Sequence, residues 1–341
     1  MGPISLVGCW YKLLAKILAN RLKSVMPLIV SPFQGAFVAK RQILDGVLIA
    51  NELIDSRKRS KVDGFLLKID LEKAYDHVDW NFVDYMLLKF GFGETWLRWM
   101  HECISTTSFS VLVNGSPSKL FKISRGIRQG DPLSPFLFTI VVEALSSLLV
   151  KAREMGVISG FVASRNGEVI THLQFADDTI LFSSTKREEI MALKRILRCF
   201  QLVSGLKVNI FKSLLVGVGC SEETTQSLAA MLHCKWGRLP LLYLGLPIGV
   251  KSRSKSLWDP VIHKFEKKLS SWKRQYLSLG GRITLIKDCL SNIPVYYMSL
   301  FKMPKAVVER LDRICRNFLW EDKSNKKNMH LMKWSEVIKP K

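Results

Sequence analysis

The first 250 residues of this 341-residue chain predict an α+β fold with a mainly antiparallel sheet, and the remainder predicts a helical region. Three observations carry that expectation. Strand-type and helix-type segments are mixed without the regular crossover units of a parallel sheet. Asn114-Gly115 and Asn166-Gly167 mark tight turns between short strand candidates. From Ser256 onward the strand patterns stop, and no internal repeat or low-complexity segment interrupts the chain, so one boundary is placed near residue 250.

Residues 10–25 set apolar side chains at helical spacing among basic ones, with Pro27 and then Ser31-Pro32 as the stop signals. A second helix is expected over 42–57, and the basic run from Arg57 to Lys61 then reads as a solvated connection. GFLLKID, residues 64–70, is a buried strand. Helical patterns follow at about 79–90 and 94–104, then a hairpin around Asn114-Gly115 and a long apolar helix from about 134 to 152. Residues 157–183 read as strands, with turns at Asn166-Gly167 and Ala176-Asp177-Asp178. A helix over 186–203 and a strand over 207–217 complete the mixed region. Beyond it, Trp258, Phe265, Trp272 and Tyr276 are interleaved with Lys264, Lys267, Lys268, Lys273 and Arg274; most of the Trp residues read as core of the helical part.

Composition points to a polyanionic partner. Lys and Arg outnumber Asp and Glu by 51 to 29, for a net charge of +22, and 48% hydrophobic residues suffice for a sizeable core. The excess is uneven, since residues 251–341 hold 21 basic and 8 acidic residues. Charge alone leaves nucleic acid and an acidic membrane surface as alternatives. No apolar run is expected to reach the ~18 residues of a membrane span, because the best stretch, Phe136 to Leu145, carries Glu143. No targeting signal is apparent at the start, so an intracellular, soluble protein is the default expectation. The seven cysteines are scattered without a C-x-x-C pair, which speaks against a zinc site or a disulfide framework and for reduced core residues.

Two acidic sites carry the chemistry. In His172-Leu-Gln-Phe-Ala-Asp-Asp-Thr-Ile-Leu-Phe182 the strand pattern holds Asp177 and Asp178 at a hairpin tip. Adjacent Asp residues in a turn are commonly no more than a polar turn. The second site changes that reading: in Phe65-Leu-Leu-Lys-Ile-Asp-Leu-Glu-Lys-Ala-Tyr-Asp76, Asp70 ends a buried strand where it can face the hairpin. Two divalent cations ~3.5–4 Å apart need oxygen ligands from separate segments, and carboxylates suit hard ions such as Mg²⁺. Asp70 and Asp177 are the bridging candidates, with Asp178 in support.

These segments resemble the palm motifs of reverse transcriptases, and the wider match is to plant LINE-type, non-LTR retrotransposons. Pro3-Ile-Ser-Leu-Val-Gly-Cys-Trp-Tyr-Lys12 and Gln34-Gly-Ala-Phe-Val-Ala-Lys-Arg-Gln-Ile-Leu-Asp45 resemble the family's finger motifs. Ser124-Arg-Gly-Ile-Arg-Gln-Gly-Asp-Pro-Leu-Ser-Pro135 resembles the motif that carries nucleotide and template. Gly205-Leu-Lys-Val-Asn-Ile-Phe-Lys212 and Tyr243-Leu-Gly-Leu-Pro247 resemble the later palm motifs. The resemblance implies a right-hand polymerase: fingers over about 1–63, palm to about 250, and a basic, helical thumb and connection over 251–341. It implies an RNA template, a DNA primer, dNTPs and two Mg²⁺ ions, with Mn²⁺ as substitute; protein partners stay unknown, no membrane is implied, and nuclear residence follows from the family's way of life.

Further roles follow from the same resemblance. Tyr75 stands where the family keeps a ring under the nucleotide sugar, excluding a 2′-hydroxyl. Gly126, Gln129 and Gly130 let backbone approach the nucleotide and its template base, while Arg125 and Arg128 bring charge suited to phosphates. Lys40 and Arg41 are candidates to neutralise the triphosphate, and Lys212 to protonate the leaving pyrophosphate. Tyr243, Leu244 and Gly245 would position the primer end.

Departures from the pattern open a rival reading. Met1-Gly2-Pro3 stands where the family has Arg-Pro-Ile, which removes a phosphate ligand, and Lys40-Arg41 replaces a Gly-Arg or Gly-Lys. The endonuclease that precedes the family's polymerase is not in this sequence, and Lys333 to Lys341 resembles the approach to a longer C-terminal region, so a fragment is expected. The alternatives are therefore an RNA-directed DNA polymerase and a catalytically inactive nucleic-acid-binding relic of one. An RNA-dependent RNA polymerase or a splicing maturase would share the palm; Tyr75 argues against the former.

Overall fold

A computed structural model describes residues 8–163, 167–250, 254–272 and 277–320, in two compact units divided between Gly249 and Val250. Met1-Gly2-Pro3, Asn166, Lys273, Arg274, Tyr276 and the segment from Lys333 to Lys341, all used in the sequence reading, lie outside the described residues.

The first unit opens with α1 (Cys9–Ile29) and α2 (Ile43–Ser60). Helix α1 runs through Pro27 rather than ending before it. In the last turn the missing N–H frees only the Lys23 carbonyl, and Lys23 and Pro27 are both exposed, so water can take its place. Helix α2 likewise absorbs most of the expected basic connection. Arg57, Lys58 and Arg59 occupy its last turn, where the helix dipole favours cations.

Next come β1 (Gly64–Ile69), β2 (Leu71–Glu72), α3 (Ala74–His77), α4 (Trp80–Lys89) and α5 (Glu94–Ser105). The Asn114-Gly115 turn joins β4 (Leu112–Val113) to β5 (Ser116–Pro117), between β3 (Ser108–Phe109) and β6 (Phe121–Lys122), with both turn residues at positive φ as a tight hairpin requires. Then follow α6 (Ser134–Glu154), β7 (Phe161–Val162), β8 (Val169–Ile170), β9 (His172–Phe175), β10 (Asp178–Ser184) and α7 (Arg187–Ser204). The strand expected over 207–217 is two, β11 (Lys207–Val208) and β12 (Leu214–Val218), because Asn209 starts a turn whose side-chain carbonyl accepts the Lys212 N–H at 3.1 Å. Helix α8 (Glu222–Leu232), β13 (Lys235–Gly237) and the β14 (Leu241–Tyr243)–β15 (Leu246–Ile248) hairpin end the unit; the sequence reading assigned none of them.

One five-stranded sheet, in the order β13-β12-β1-β10-β9, organises this unit. It is antiparallel except for the β12–β13 pair at its edge. Phe65, Leu67 and Ile69 of β1 enter the main core with Phe138 of α6, Leu87 of α4 and Leu193 of α7. Leu66 points to the other face and is equally buried, which is why β1 reads as an apolar run rather than an alternation. Each such side chain contributes about 1.5–3 kcal/mol.

Helix α6 corrects the expectation about apolar length, since residues 134–154 are by length and composition sufficient to cross a bilayer. Sixty-one per cent of that window is buried inside the protein, and its side chains form the centre of the core. The cysteines also differ from expectation. All are free, but only Cys103 and Cys315 are buried, while Cys9, Cys199 and Cys289 lie on exposed helix faces.

The second unit is helical among its described residues: a 3₁₀ turn at Ser256–Trp258, α9 (Asp259–Ser271), α10 (Leu279–Leu285) running into a π-helical turn at Ile286–Leu290, α11 (Val295–Met298) and α12 (Lys305–Trp320). Trp258, as read from the sequence, and Phe265 are core residues, and Trp258 packs on Tyr297 with ring centres 5.9 Å apart. Lys264, Lys267 and Lys268 are exposed.

Glu189 ties α7 to the far end of β10. Its carboxylate accepts from Ser159 N and Oγ, Ser183 Oγ, and Ser184 N and Oγ, at 2.7–3.3 Å. Burial alone would raise its pKa; the hydrogen bonds from Ser183, Ser184 and Ser159 outweigh that and hold it below the ordinary carboxylate value. A group depressed in the folded state stabilises above its unfolded pKa and loses that contribution as pH falls through the folded one. Glu189→Ala should therefore cost about 2–4 kcal/mol at pH 7 in urea unfolding, with the difference from wild type shrinking in acid.

Candidate active site

The pairing of β1 with β10 decides what meets at the sheet's end. Lys68 lies opposite Ile180 and Ile69 opposite Thr179, so the next residues, Asp70 and Asp178, leave the ladder side by side. Asp178 also faces Phe175 across the β9–β10 hairpin, which leaves Ala176-Asp177 as a two-residue tip. The Asp177 side chain is exposed at this tip. Its pKa is raised, first by desolvation and then by the charges of Asp178 and Asp70. The structure thus brings the three carboxylates within electrostatic reach of one another. Lys68 Nζ lies 3.4 Å from Asp178 Oδ1 and also donates to the Leu242 carbonyl at 3.2 Å.

The strand end carrying Asp70 is held by the turn before β12. Asn209 N donates to Asp70 O at 2.7 Å, Asp70 N donates to Ser213 Oγ at 3.3 Å, and Ser213 Oγ donates to Asn209 O at 2.8 Å. Lys212 sits in this turn with its side chain exposed.

Tyr75 is half-buried and stacks on Phe138 with ring centres 4.9 Å apart and planes 14° from parallel. Burial, and then the charge of Asp177, push its hydroxyl up to about 12. The loop around Gly126 is tied to the same segment: Ile127 N donates to Tyr75 O and Gly126 N to Val78 O, both at 2.7 Å. Gly126 adopts φ +91°, and a Cβ there would lie 2.8 Å from Asp76 O. The close approach that demands glycine is therefore to this chain's own backbone, whereas the sequence reading assigned it to the nucleotide. Gln129 is half-exposed, and Gly130, at φ +92°, is exposed.

Several expected ligands turn inward. The Arg128 guanidinium donates to Cys103 O and Thr107 Oγ1 and lies 3.9 Å over the Tyr11 ring, while Tyr11 Oη donates to Asp131 at 2.7 Å. Arg41 donates through Nη1 to Ser31 O and Gln34 O and through Nη2 to Val30 O. Both cations donate to groups of the protein itself, and Lys40 is exposed. Tyr243 is fully buried against Gly46 of α2, so its side chain anchors the hairpin, whose Leu244-Gly245 turn has φ +50° and +78°.

Sequence reading missed three contributors. Lys68 was legible only as a lone polar residue in an apolar strand. Ser213 carried no signal of its own. Gln34, fully buried, accepts from Ala36 N at 2.9 Å and Ala176 N at 3.0 Å, and the latter lies 142 positions away.

For a metal, the donor chemistry fits: three carboxylates share a region with Lys68 as the nearby cation, and their mutual repulsion is what a divalent ion relieves. Among the described residues no three or more His, Cys, Asp or Glu side chains are gathered closely enough to hold a metal ion as they stand.

The family described as reverse transcriptase (RNA-dependent DNA polymerase) matches residues 1–271. The transposon TX1 uncharacterized 149 kDa protein of Xenopus laevis is 26% identical over 332 residues, covering 93% of this chain and 24% of that protein. The retrovirus-related Pol polyprotein from the type-1 retrotransposable element R2 of Popillia japonica is 30% identical over 224 residues, 64% of this chain and 30% of that protein. The chain thus spans less than a third of either relative. Among solved structures, telomerase from Candida albicans in complex with a fragment of telomeric RNA aligns with a TM-score of 0.48 and 13% identity, over 91% of this chain and 50% of that one.

Two glycine substitutions separate crowding from backbone strain. Gly126→Ala should lose about 2–4 kcal/mol, because positive φ and overlap with Asp76 O act together. Gly91→Ala, at φ +81° with open space around it, should lose about 1 kcal/mol. Urea midpoints of the two variants measure the difference.

Proposed function

This chain belongs to the reverse transcriptase (RNA-dependent DNA polymerase) family, and on that premise we propose that it extends a DNA primer on an RNA template, as the polymerase of a non-LTR retroelement of the plant LINE type. The observation that supports this most is the β1–β10 register, which sets Asp70 beside Asp178 at the sheet end with Asp177 at the hairpin tip. The net charge of +22 suits a nucleic-acid partner. Nuclear residence belongs to the same reading.

In this reading Asp70, Asp177 and Asp178 would hold two Mg²⁺ ions, or Mn²⁺ in their place. The chemistry those ions supply when bound is activation of the primer 3′-hydroxyl and neutralisation of the triphosphate. Lys68 keeps Asp178 oriented while joining it to the β14–β15 hairpin, whose Leu244-Gly245 turn guides the primer end. The Tyr75 ring, backed by Phe138, underlies the sugar of the incoming dNTP and leaves no room for a 2′-hydroxyl. Gln129 and Gly130 face the nucleotide and its template base. Lys40 meets the triphosphate, and Lys212 gives a proton to the leaving pyrophosphate.

Mg²⁺-dependent extension of a DNA primer on an RNA template is the test, beside an Asp177→Ala/Asp178→Ala variant. Wild-type incorporation of deoxynucleotides, lost in the variant, is the expected outcome. If neither protein extends the primer and both bind it with steep salt dependence, the inactive relic is the correct reading. In an active protein, Tyr75→Ala should raise ribonucleotide incorporation relative to deoxynucleotide by roughly tenfold or more, read from the ratio of kcat/KM values.

A further inference from the structure

We propose that Gln34 is a positioning residue for the turn that carries Asp177: its side-chain carbonyl, carried on a backbone whose own carbonyl Arg41 binds, fixes the direction in which that carboxylate is presented. The catalytic consequence rests on the polymerase reading above; the tether itself does not.

The turn needs such a tether. Ala176 adopts φ +54°, a conformation that costs an L-residue about 1–2 kcal/mol, and two-residue hairpin turns of positive φ normally recruit Gly or Asn there. Ala176-Asp177 contains neither. Strained backbone persists only where its surroundings over-determine it, and here the surroundings are the segment Phe33–Gly35. That segment lies along the edge of β9, with Gln174 N donating to Phe33 O and Gly35 N to Gln174 O, both at 2.8 Å. Gly35 is pressed close enough that a Cβ would sit 3.1 Å from the Phe175 ring.

From this edge the buried Gln34 side chain reaches the turn, and its Oε1 accepts from Ala36 N and Ala176 N together. Two N–H donors on one atom fix the amide's orientation, because the opposite flip would set N–H against N–H. Nε2 has no partner, so the carbonyl alone makes the connection. Arg41 then secures the carrier: its guanidinium gathers the carbonyls of Val30, Ser31 and Gln34, and Ser31 Oγ donates to Glu143 of α6 at 3.1 Å. The connection between α1 and α2 is thereby coupled to the hairpin twice, to β9 through the backbone of Phe33 and Gly35 and to the turn itself through the Gln34 side chain.

The test uses the full chain with Gln34→Met, which keeps length and removes the acceptor, and Gln34→Glu, which full burial holds in its protonated form, so that it keeps the carbonyl acceptor with a hydroxyl in place of the unpartnered Nε2. Amide hydrogen exchange is followed across Phe175 to Thr179, and single-nucleotide incorporation gives kcat and KM for the dNTP. In Gln34→Met, exchange at Ala176 should rise about tenfold or more while β1 keeps its protection. Its kcat should fall by roughly 10–100-fold with KM within about twofold of wild type, since misplacement of a reacting group by about 1 Å suffices for such losses. Gln34→Glu should restore both.

Unchanged Ala176 exchange in Gln34→Met would overturn the tether, and so would raised exchange with wild-type kcat. Equal losses in the Met and Glu variants would reduce Gln34 to a packing role. Should Gln34→Met fail to fold, Gln34→Asn, which withdraws the carbonyl by one methylene, decides by the same exchange measurement. A wild-type protein that extends no primer would refute the polymerase reading while the Ala176 amide still decides the tether.

Discussion

Everything at the candidate site depends on the pairing register of β1 and β10. Side chains alternate faces along a strand, so a slip of one residue would turn Lys68, Asp70 and Asp178 away from their common face and expose Phe65, Leu67 and Ile69. The register is fixed from both sides of the sheet at once. β1 is the middle strand, with β12 as its second antiparallel neighbour, and its apolar residues fill both faces. The acidic end of the sheet is therefore specified by the core, not by interactions among the acids, which repel one another.

The residues singled out by the resemblance divide by direction. Asp177, Lys40, Lys212 and Gly130 face outward, where a large polyanionic ligand can reach them. Arg41, Arg128 and Tyr243 face inward and hold loops and hairpins. Gly126 belongs with the second group, because its neighbour is the backbone of Asp76. A motif can thus be retained for the frame it builds as much as for the atoms it offers.

Much of the site was legible in the sequence where signals were local. A buried apolar run ending in Asp70 and a strand–turn–strand pattern around Asp177-Asp178 carry their geometry with them, and Asn114-Gly115 marks its own hairpin. What escaped was non-local or compensated. Pro27 reads as a stop, yet an exposed last turn tolerates it. Residues 207–217 read as one strand because nothing in their hydrophobicity reports that Asn209 binds the Asp70 carbonyl. Arg41 looks like a free cation until the carbonyls of Val30, Ser31 and Gln34 converge on it. The cysteines read as core because the cysteine rule is statistical, while Cys9 and Cys199 ride on outward helix faces.

The Phe33–Gly35 ladder on β9 also bears on how the chain is made. β9 is an edge strand of the main sheet, and an open edge invites strands of other molecules. Its cover precedes it in the sequence by about 140 positions, and helix α2 and strand β1, the partner of its neighbour β10, also come before it. On a ribosome that releases the N-terminal part first, the covering segment is already outside when β9 emerges. The edge can be closed as it is synthesised, so this side of the palm never has to wait for the C-terminal unit to be shielded from aggregation.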